Sequence, residues 1–396
     1  MRILVVQESN WIDRGPHQSH HLMERMVHRG HEVRVIDFNI LWKKDGKRSF
    51  FSKRSVFTAK SKAIPDADIM VIRPPIIQFP VLEYLSLLSS HEKEIVRQLD
   101  EFKPDIVIGF GILNARIAMA YCKKRKIPFI YYIIDELHRL VPQPIFQKFA
   151  KYIERRNFKT ADLVLSINEG LRDYTIEMGT LPEKTKVIRA GVNLSWFSKT
   201  DRNKKRNELG FSQTDTVLFF MGWLYDFSGL KEVAESLVQE KTASGIKILI
   251  VGDGDLRPYL EMKKRLPGMA ERFTIVGWQP YDSIPDYIAA ADICLLPAQK
   301  NEIMKNIVPI KMYEYMAAGK PVIATDLSGI MKEFGTDNGV VYIGKPEEAV
   351  KKAKTLVADN LLEDYGVKAR HFVEPNDWEK ITDSFEETLE MIIHDT

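Results

Sequence analysis

A chain of 396 residues exceeds what one ordinary hydrophobic core supports and predicts two domains of about 150–200 residues each. Its 45% hydrophobic and 28% charged content is that of a globular protein, and a net charge of +3 argues against a general nucleic-acid footprint. The two cysteines, Cys122 and Cys294, are far apart and lack metal-ligand spacing, which points to a reducing compartment. The start, MRILVVQESN, is too short in its apolar part for a signal peptide. The longest apolar run, residues 127–134, falls far below a membrane span. The expectation is a cytoplasmic protein, or one peripheral to the inner face of a membrane.

Residues 2–6 read as a buried strand, 17–29 as a helix closed by Gly30, and 32–37 as a second strand. This β-loop-α-β opening suits a Rossmann-like sheet, but the Gly-x-Gly-x-x-Gly fingerprint is absent, which disfavours a dinucleotide here. Only Gly15 lies in the first loop, where a plain turn explains it. Residues 43–62 hold eight basic side chains against one acid, Asp45, with Phe50, Phe51 and Phe57 between them. That mixture suits an anionic membrane surface or a phosphate-bearing acceptor, suits nucleic acid less well, and equally describes a solvated loop. A strand at 66–72 opens on Asp66-Ala67-Asp68. We read this as a helix-to-strand junction rather than a metal-holding Asp-x-Asp, because Ala-Asp also opens strands at Asp162 and Asp292.

Helix 91–102, strand 105–110, helix 112–126 and strand 128–134 follow. The last ends in Asp135-Glu136-Leu137-His138. Polar groups at the C-terminal ends of parallel strands face the ligand crevice of open α/β sheets. Asp135 and His138 are therefore candidates for chemistry; a turn cap and an exposed loop residue are the plainer alternatives. Residues 146–159 form a basic helix, most simply a solvated helix side. The polar stretch 194–213 reads as a linker between a domain at 1–193 and a second at 214–375.

The second domain repeats the pattern, with strands at 216–221, 246–251, 273–276 and 292–296. Gly252-Asp253-Gly254-Asp255 makes a turn, and Gly277-Trp278-Gln279-Pro280 another. Residues 306–326 then read as loop, helix, tight turn and buried strand. Pro309 suits a first helical turn, Gly319 suits a left-handed stop, and Val322-Ile323-Ala324 suits a strand buried on both faces. Lys311 and Glu314 are three residues apart and share a helix face. A helix N-terminus with a lysine beside it suits a diphosphate, and a carboxylate one turn further in suits the two hydroxyls of a ribose. An ordinary surface salt bridge fits the same spacing. Strand 340–343 and helices 346–358 and 376–394 finish the chain.

The run EYMAAGKPVIATD resembles the donor-binding segment of the retaining GT-B glycosyltransferases of family 4, the "glycosyl transferases group 1" type. The family's signature glutamate falls on Glu314, and its variant P-x-K-x-x-E-Y form on Pro309, Lys311, Glu314 and Tyr315. The acid expected eight residues earlier is Asn306, which the resemblance places near the donor sugar, with Glu302 as the alternative. Lys186 to Asn193 resembles the segment that ends the family's N-terminal domain. The family's Gly-Arg-x-x-x-x-Lys-Gly turn, whose Arg and Lys hold the leaving diphosphate, is here Gly222 to Gly229 with Trp223 and Ser228 at the charged positions. Gly252 and Gly254 resemble the glycines at its nucleotide side, and Gly277 with Trp278 or Gln279 the loop along the base.

This resemblance implies two facing Rossmann-like, doubly wound α/β domains, a GT-B fold with a deep interdomain cleft holding the site. It implies an acceptor-binding N-terminal domain, including Gly15, packed against the returning helix at 376–396, and a C-terminal domain for a UDP- or GDP-sugar. It also places a histidine or acid near the donor sugar where Asp135 and His138 stand. Relatives acting on lipid-linked acceptors carry basic patches in the N-terminal domain, which inclines residues 43–62 toward the membrane. The expected activity is retaining, metal-independent glycosyl transfer, with no cofactor beyond the nucleotide-sugar co-substrate and no nucleic-acid partner. A GT-B sugar-nucleotide epimerase and a non-catalytic binding or scaffolding subunit remain as alternatives.

Overall fold

A computed structural model describes residues 1–13, 16–39, 50–58, 61–80, 82–141, 143–240, 245–302, 304–305 and 307–394. The chain divides into two units, residues 1–190 with 378–396, and residues 191–377. The stretch expected as a linker, 194–213, carries short helices at Leu194–Phe197 and Arg202–Glu208 and belongs with the second unit. Arg206 accounts for that: its buried guanidinium donates to the Ala290, Ser212 and Asp215 carbonyls and pairs with Asp292.

The N-terminal unit is built on β1 (Arg2–Gln7), β2 (Glu32–Ile36), β3 (Ser55–Phe57), β4 (Met70–Arg73), β5 (Ile106–Phe110), β6 (Phe129–Ile133), β7 (Leu163–Ser166) and β8 (Thr185–Val187). Among the described residues they form one sheet in the order β3-β4-β2-β1-β5-β6-β7-β8, parallel except at the β3 edge. Successive side chains of a strand point to opposite faces. Ile3, Val5, Ile106, Ile108, Ile130 and Tyr132 accordingly enter one core, and Leu4, Val6, Val107, Tyr131 and Ile133 the other. Both faces are covered, which is why these strands read as unbroken apolar runs.

The helix Trp378–His394 packs on the first of these cores through Trp378, Phe385 and Leu389. The Trp378 ring stacks on His21 at 4.4 Å, and Arg29 bonds Asp383 and Glu386, each at 2.7 Å. The helix expected at 91–102 begins earlier, spanning Leu82–Glu101.

The C-terminal unit contains β9 (Thr216–Met221), β10 (Ile246–Val251), β11 (Phe273–Gly277), β12 (Ile293–Leu296), β13 (Val322–Thr325) and β14 (Val340–Ile343). The order is β11-β10-β9-β12-β13-β14 and every pairing is parallel. The reversal of direction beside β9 puts a crevice at the C-terminal ends of β9, β10 and β12, where open sheets bind ligands. A helix at Leu362–Val373, which the sequence analysis left unassigned, carries Gly366 in its middle. A Cβ on Gly366 would stand 2.3 Å from the Gly319 carbonyl oxygen, so glycine allows this helix to meet the end of the helix Ile310–Ala317.

Candidate functional site in the C-terminal domain

The loops leaving β9, β10 and β11 are locked together through backbone. Gly222 N–H donates to Val251 O at 2.9 Å, Gly252 N–H to Gly277 O at 2.8 Å, and Leu224 N–H to Asp253 O at 3.0 Å. A Cβ on Gly252 would lie 1.9 Å from the Gly222 carbonyl oxygen, and φ there is +136°. No other residue permits that approach. Gly254 is likewise pressed against the Leu224 backbone. Gly222, Gly252, Gly254 and Gly277 therefore shape the floor of the crevice.

The helix Ile310–Ala317 follows Pro309, whose φ of −71° is set by its ring. Tyr315, buried inside, accepts the Met221 N–H at 3.0 Å and ties the helix to the end of β9. Lys311 Nζ donates to Met221 O at 3.0 Å and stands 4.4 Å over the Phe220 ring. A Cβ on Gly222 would come within 3.1 Å of that ammonium, so the glycine leaves room for it. Burial pulls the Lys311 pKa down to about 8, with Glu314 pulling it back up. Glu314 is buried and its Oε1 accepts the Tyr281 hydroxyl at 2.7 Å. Burial raises its pKa, against the Tyr281 hydrogen bond and the Lys311 charge.

Ser228 is buried in a short turn, Asp226–Ser228, ahead of the helix Leu230–Gln239, and its Oγ accepts the Leu230 N–H at 3.4 Å. Trp278 is exposed beside Gly277. Its neighbour Gln279 is held by the Val276 carbonyl and the Tyr287 hydroxyl. Asn306 lies outside the described residues, and Glu302 is exposed. Glycine, lysine, glutamate and the indole thus converge at the ends of β9 and β11, a set able to take an anion, a pair of hydroxyls and a flat ring.

In the N-terminal domain, Asp135 follows β6 as an exposed residue. Crowding of its carboxyl by surrounding protein, then the neighbouring Glu136, pushes its pKa up to about 6; solvent reaching the residue moderates that rise. His138 is not an exposed loop residue. It is buried in the turn Leu137–Leu140, with Nδ1 2.8 Å from Glu154 Oε2 and 3.0 Å from the Tyr174 hydroxyl. Tyr174 also donates to Glu154 at 2.8 Å. Glu154 sits on the inward face of the helix Pro144–Thr160, four residues from Ala150 and from Phe158, which are buried as well. An acid at a core position of a helical repeat was the signal available for it. Gly15 lies outside the described residues.

Sequence reasoning also missed a network at the ends of β1, β2 and β4. The fully buried Asp37 carboxylate accepts two hydrogen bonds from Arg73, at 2.9 and 2.7 Å, and Arg73 donates to Asn10 at 2.9 Å. Among the described residues no cluster of His, Cys, Asp or Glu is placed to hold a metal ion. None of their helices is long and apolar enough to cross a membrane.

Two α/β units, each built on a parallel sheet of this kind, are those of the GT-B fold. HepE from Anabaena, solved in complex with UDP, aligns with a TM-score of 0.72 at 19% identity, over 99% of this chain and 100% of that one. Residues 18–196 match the model of Glycosyltransferase Family 4 and residues 215–359 that of Glycosyl transferases group 1; the chain belongs to this family. It is 23% identical over 387 residues to the N-acetyl-alpha-D-glucosaminyl L-malate synthase of Bacillus anthracis, covering 94% of this chain and 93% of that one. It is 26% identical over 229 residues to the alpha-D-kanosaminyltransferase of Streptomyces kanamyceticus, covering 55% of this chain. The matched stretch spans 58% of that relative's length, and between about half and two thirds for other curated relatives.

Proposed function

We propose that the chain is a retaining, metal-independent glycosyltransferase that moves a sugar from a nucleoside-diphosphate sugar to an acceptor. The observation that carries this is the convergence of Lys311, Glu314 and Gly222 at the end of β9. Glu314 would exchange its Tyr281 hydrogen bond for two ribose hydroxyls. Lys311 would turn from the Met221 carbonyl to the diphosphate. In the transfer, an acceptor oxygen bonds to the anomeric carbon as the bond from that carbon to the diphosphate breaks. The electron pair leaves on the diphosphate and the acceptor's proton passes to one of its oxygens. Positive charge fixed where the leaving group gains negative charge is usually the largest catalytic term, and Lys311 supplies it in this reading. Asp135, His138 and Asn306 are the candidates for the chemistry in this reading, with Glu154 and Tyr174 fixing the His138 ring. HepE, a relative in fold, binds UDP and UDP-glucose, which supports a uridine nucleotide as a first trial.

The test is a donor screen of UDP- and GDP-sugars against a cell-lipid extract, read as released nucleoside diphosphate, beside thermal melts with the same compounds. A donor that raises the melting temperature and releases diphosphate is expected, with Glu314→Ala abolishing both. Stabilisation without release would favour the non-catalytic binding subunit. No shift with any nucleotide would end the donor reading.

A lipid-linked acceptor and peripheral attachment at the inner face of a membrane belong to the same proposal. The helix Pro144–Thr160 exposes Ile145, Phe149 and Tyr152 along one stripe, flanked by exposed Lys148, Lys151, Arg155 and Arg156, while its one acid, Glu154, faces inward. Phe50 and Phe51 are exposed as well. Residues 43–49 and 59–60 of the basic stretch lie outside the described residues. Cations beside exposed rings suit an anionic lipid interface. Sedimentation with phosphatidylglycerol vesicles, lost in phosphatidylcholine and on Phe149→Glu, is the expected result; equal recovery with both lipids would remove the membrane from the reading.

A further inference from the structure

The turn after β9 carries tryptophan and serine where the family pattern has its two phosphate-holding cations, and the rings around it are ordered. Phe227 and Tyr225 lie 4.9 Å apart at 17°, and Tyr225 and Trp223 6.0 Å apart at 23°, so the three form a ladder of nearly parallel rings. Trp278, from the turn after β11, stands edge-on to Trp223 at 5.0 Å and 79°. Trp223 is 51% exposed and Trp278 56%. Two adjacent, half-exposed indoles on a floor locked by backbone hydrogen bonds are an unusual use of apolar surface. The charged groups of the donor site adjoin them. Gly222, next to Trp223, abuts the Lys311 ammonium, and Tyr281, three residues after Trp278, bonds Glu314.

We propose that Trp223, backed by Tyr225 and walled by Trp278, is the stacking platform for the nucleobase of the donor. A base laid on Trp223 adds a rung to the ladder. Its ribose is then within reach of Glu314 and its diphosphate within reach of Lys311. Stacking on the neutral ladder replaces, in donor affinity, part of what two cations on the phosphates would contribute. The inference rests on the nucleotide-sugar reading of this domain. It adds that the base face, more than the diphosphate, anchors the donor here, so that affinity depends weakly on salt and inorganic diphosphate competes poorly.

The test uses the full chain, with tryptophan fluorescence and calorimetry against UDP, GDP, ADP and inorganic diphosphate. The nucleotide that binds quenches the fluorescence. Trp223→Ala weakens it by about 5- to 150-fold, the range for loss of one base–aromatic stack. Trp223→Phe retains most of the affinity, and Trp278→Ala loses less than Trp223→Ala. Both indoles are exposed, and unchanged melting of the unliganded variants verifies that the fold is spared. Nucleotide affinity within twofold of wild type in both alanine variants, with Glu314→Ala still abolishing binding, overturns the platform and leaves the nucleotide reading standing. A rise in acceptor KM alone also overturns it, assigning the rings to the acceptor. Diphosphate competing as well as the nucleotide overturns it too. Absence of binding by every nucleotide overturns both.

Discussion

The two domains use the same sheet architecture but stabilise the ends of their strands differently. In the N-terminal domain, buried polar side chains knit distant segments together. Gln18 donates to the Tyr132 hydroxyl, Tyr132 to Ile188 O, and Arg73 spans Asp37 and Asn10. Glu24 accepts three backbone N–H groups from residues 62–64. In the C-terminal domain the buried polar side chains are few among the described residues, and the strand ends are joined instead by backbone bonds between glycine-containing loops. Backbone locking leaves side chains such as Trp223 and Trp278 available at the surface of the crevice. Side-chain locking uses up the polar groups it employs.

The sharpest way to break this contrast is Gly252→Ala. With its Cβ driven against the Gly222 carbonyl, the variant is expected to lose more than about 4 kcal/mol. Hydrogen exchange should show lost protection confined to residues 191–377. By comparison, Gly30→Ala in the N-terminal domain meets open space and costs only its positive φ, about 1 kcal/mol. Equal effects would undo the distinction.

Glu154→Ala tests the other side. It removes the acceptor shared by His138 and Tyr174 inside the N-terminal domain and should cost about 2–4 kcal/mol there by denaturant unfolding. The loss is expected to leave nucleotide affinity at the C-terminal domain within twofold, measured by calorimetry.

Lys311 sets a smaller, pH-dependent effect. Its folded-state amine titrates near pH 8, while an unfolded lysine titrates near 10.5. Between those values the unfolded chain binds more protons, so the unliganded domain gains stability as pH rises from 8 to 10.5. Nucleotide binding runs the opposite way. Above about pH 8 the amine is increasingly neutral, and the Kd should rise with pH, by less in total than Trp223→Ala costs. Lys311→Met should flatten both profiles; a Kd that stays pH-dependent in the variant would remove Lys311 from the diphosphate.

A change confined to acid pH sharpens the picture of the N-terminal interior. His91 is fully buried, neither ring nitrogen has a hydrogen-bond partner among the described residues, and burial holds its pKa at about 3 against the pull of Glu94. Below pH 6.5 the unfolded chain takes a proton that the folded one refuses, so stability falls as pH drops toward 3, by at most about 1.4 kcal/mol per unit. His91→Leu should lower the acid-unfolding midpoint of this domain and leave that of the other unchanged.

Much of the C-terminal domain was legible because its devices are local. Strands at Thr216–Met221, Ile246–Val251 and Val340–Ile343 are apolar runs between turns, and Lys311 and Glu314 lie within one helical turn. The helix Leu362–Val373 went unassigned, and what its Gly366 does, a close approach to Gly319, is a tertiary matter. His138 was found as a position, but its environment was not, since Glu154 and Tyr174 come from 16 and 36 residues further along. The short edge strand β3 escaped notice because three residues carry too little pattern.

The amino-acid sequence by itself determined the alternation of strand and helix, because periodicity and turn chemistry act over a few residues; the family was legible separately, through the resemblance of the run EYMAAGKPVIATD to a known donor-binding segment. Tertiary structure decided which side chains are held and which face solvent. It set the ordered ring ladder of Trp223, the low lysine pKa beside Gly222 and the fixed ring of His138. Each of these depends on burial and on partners brought from another part of the chain, and neither quantity exists until the sheets are assembled.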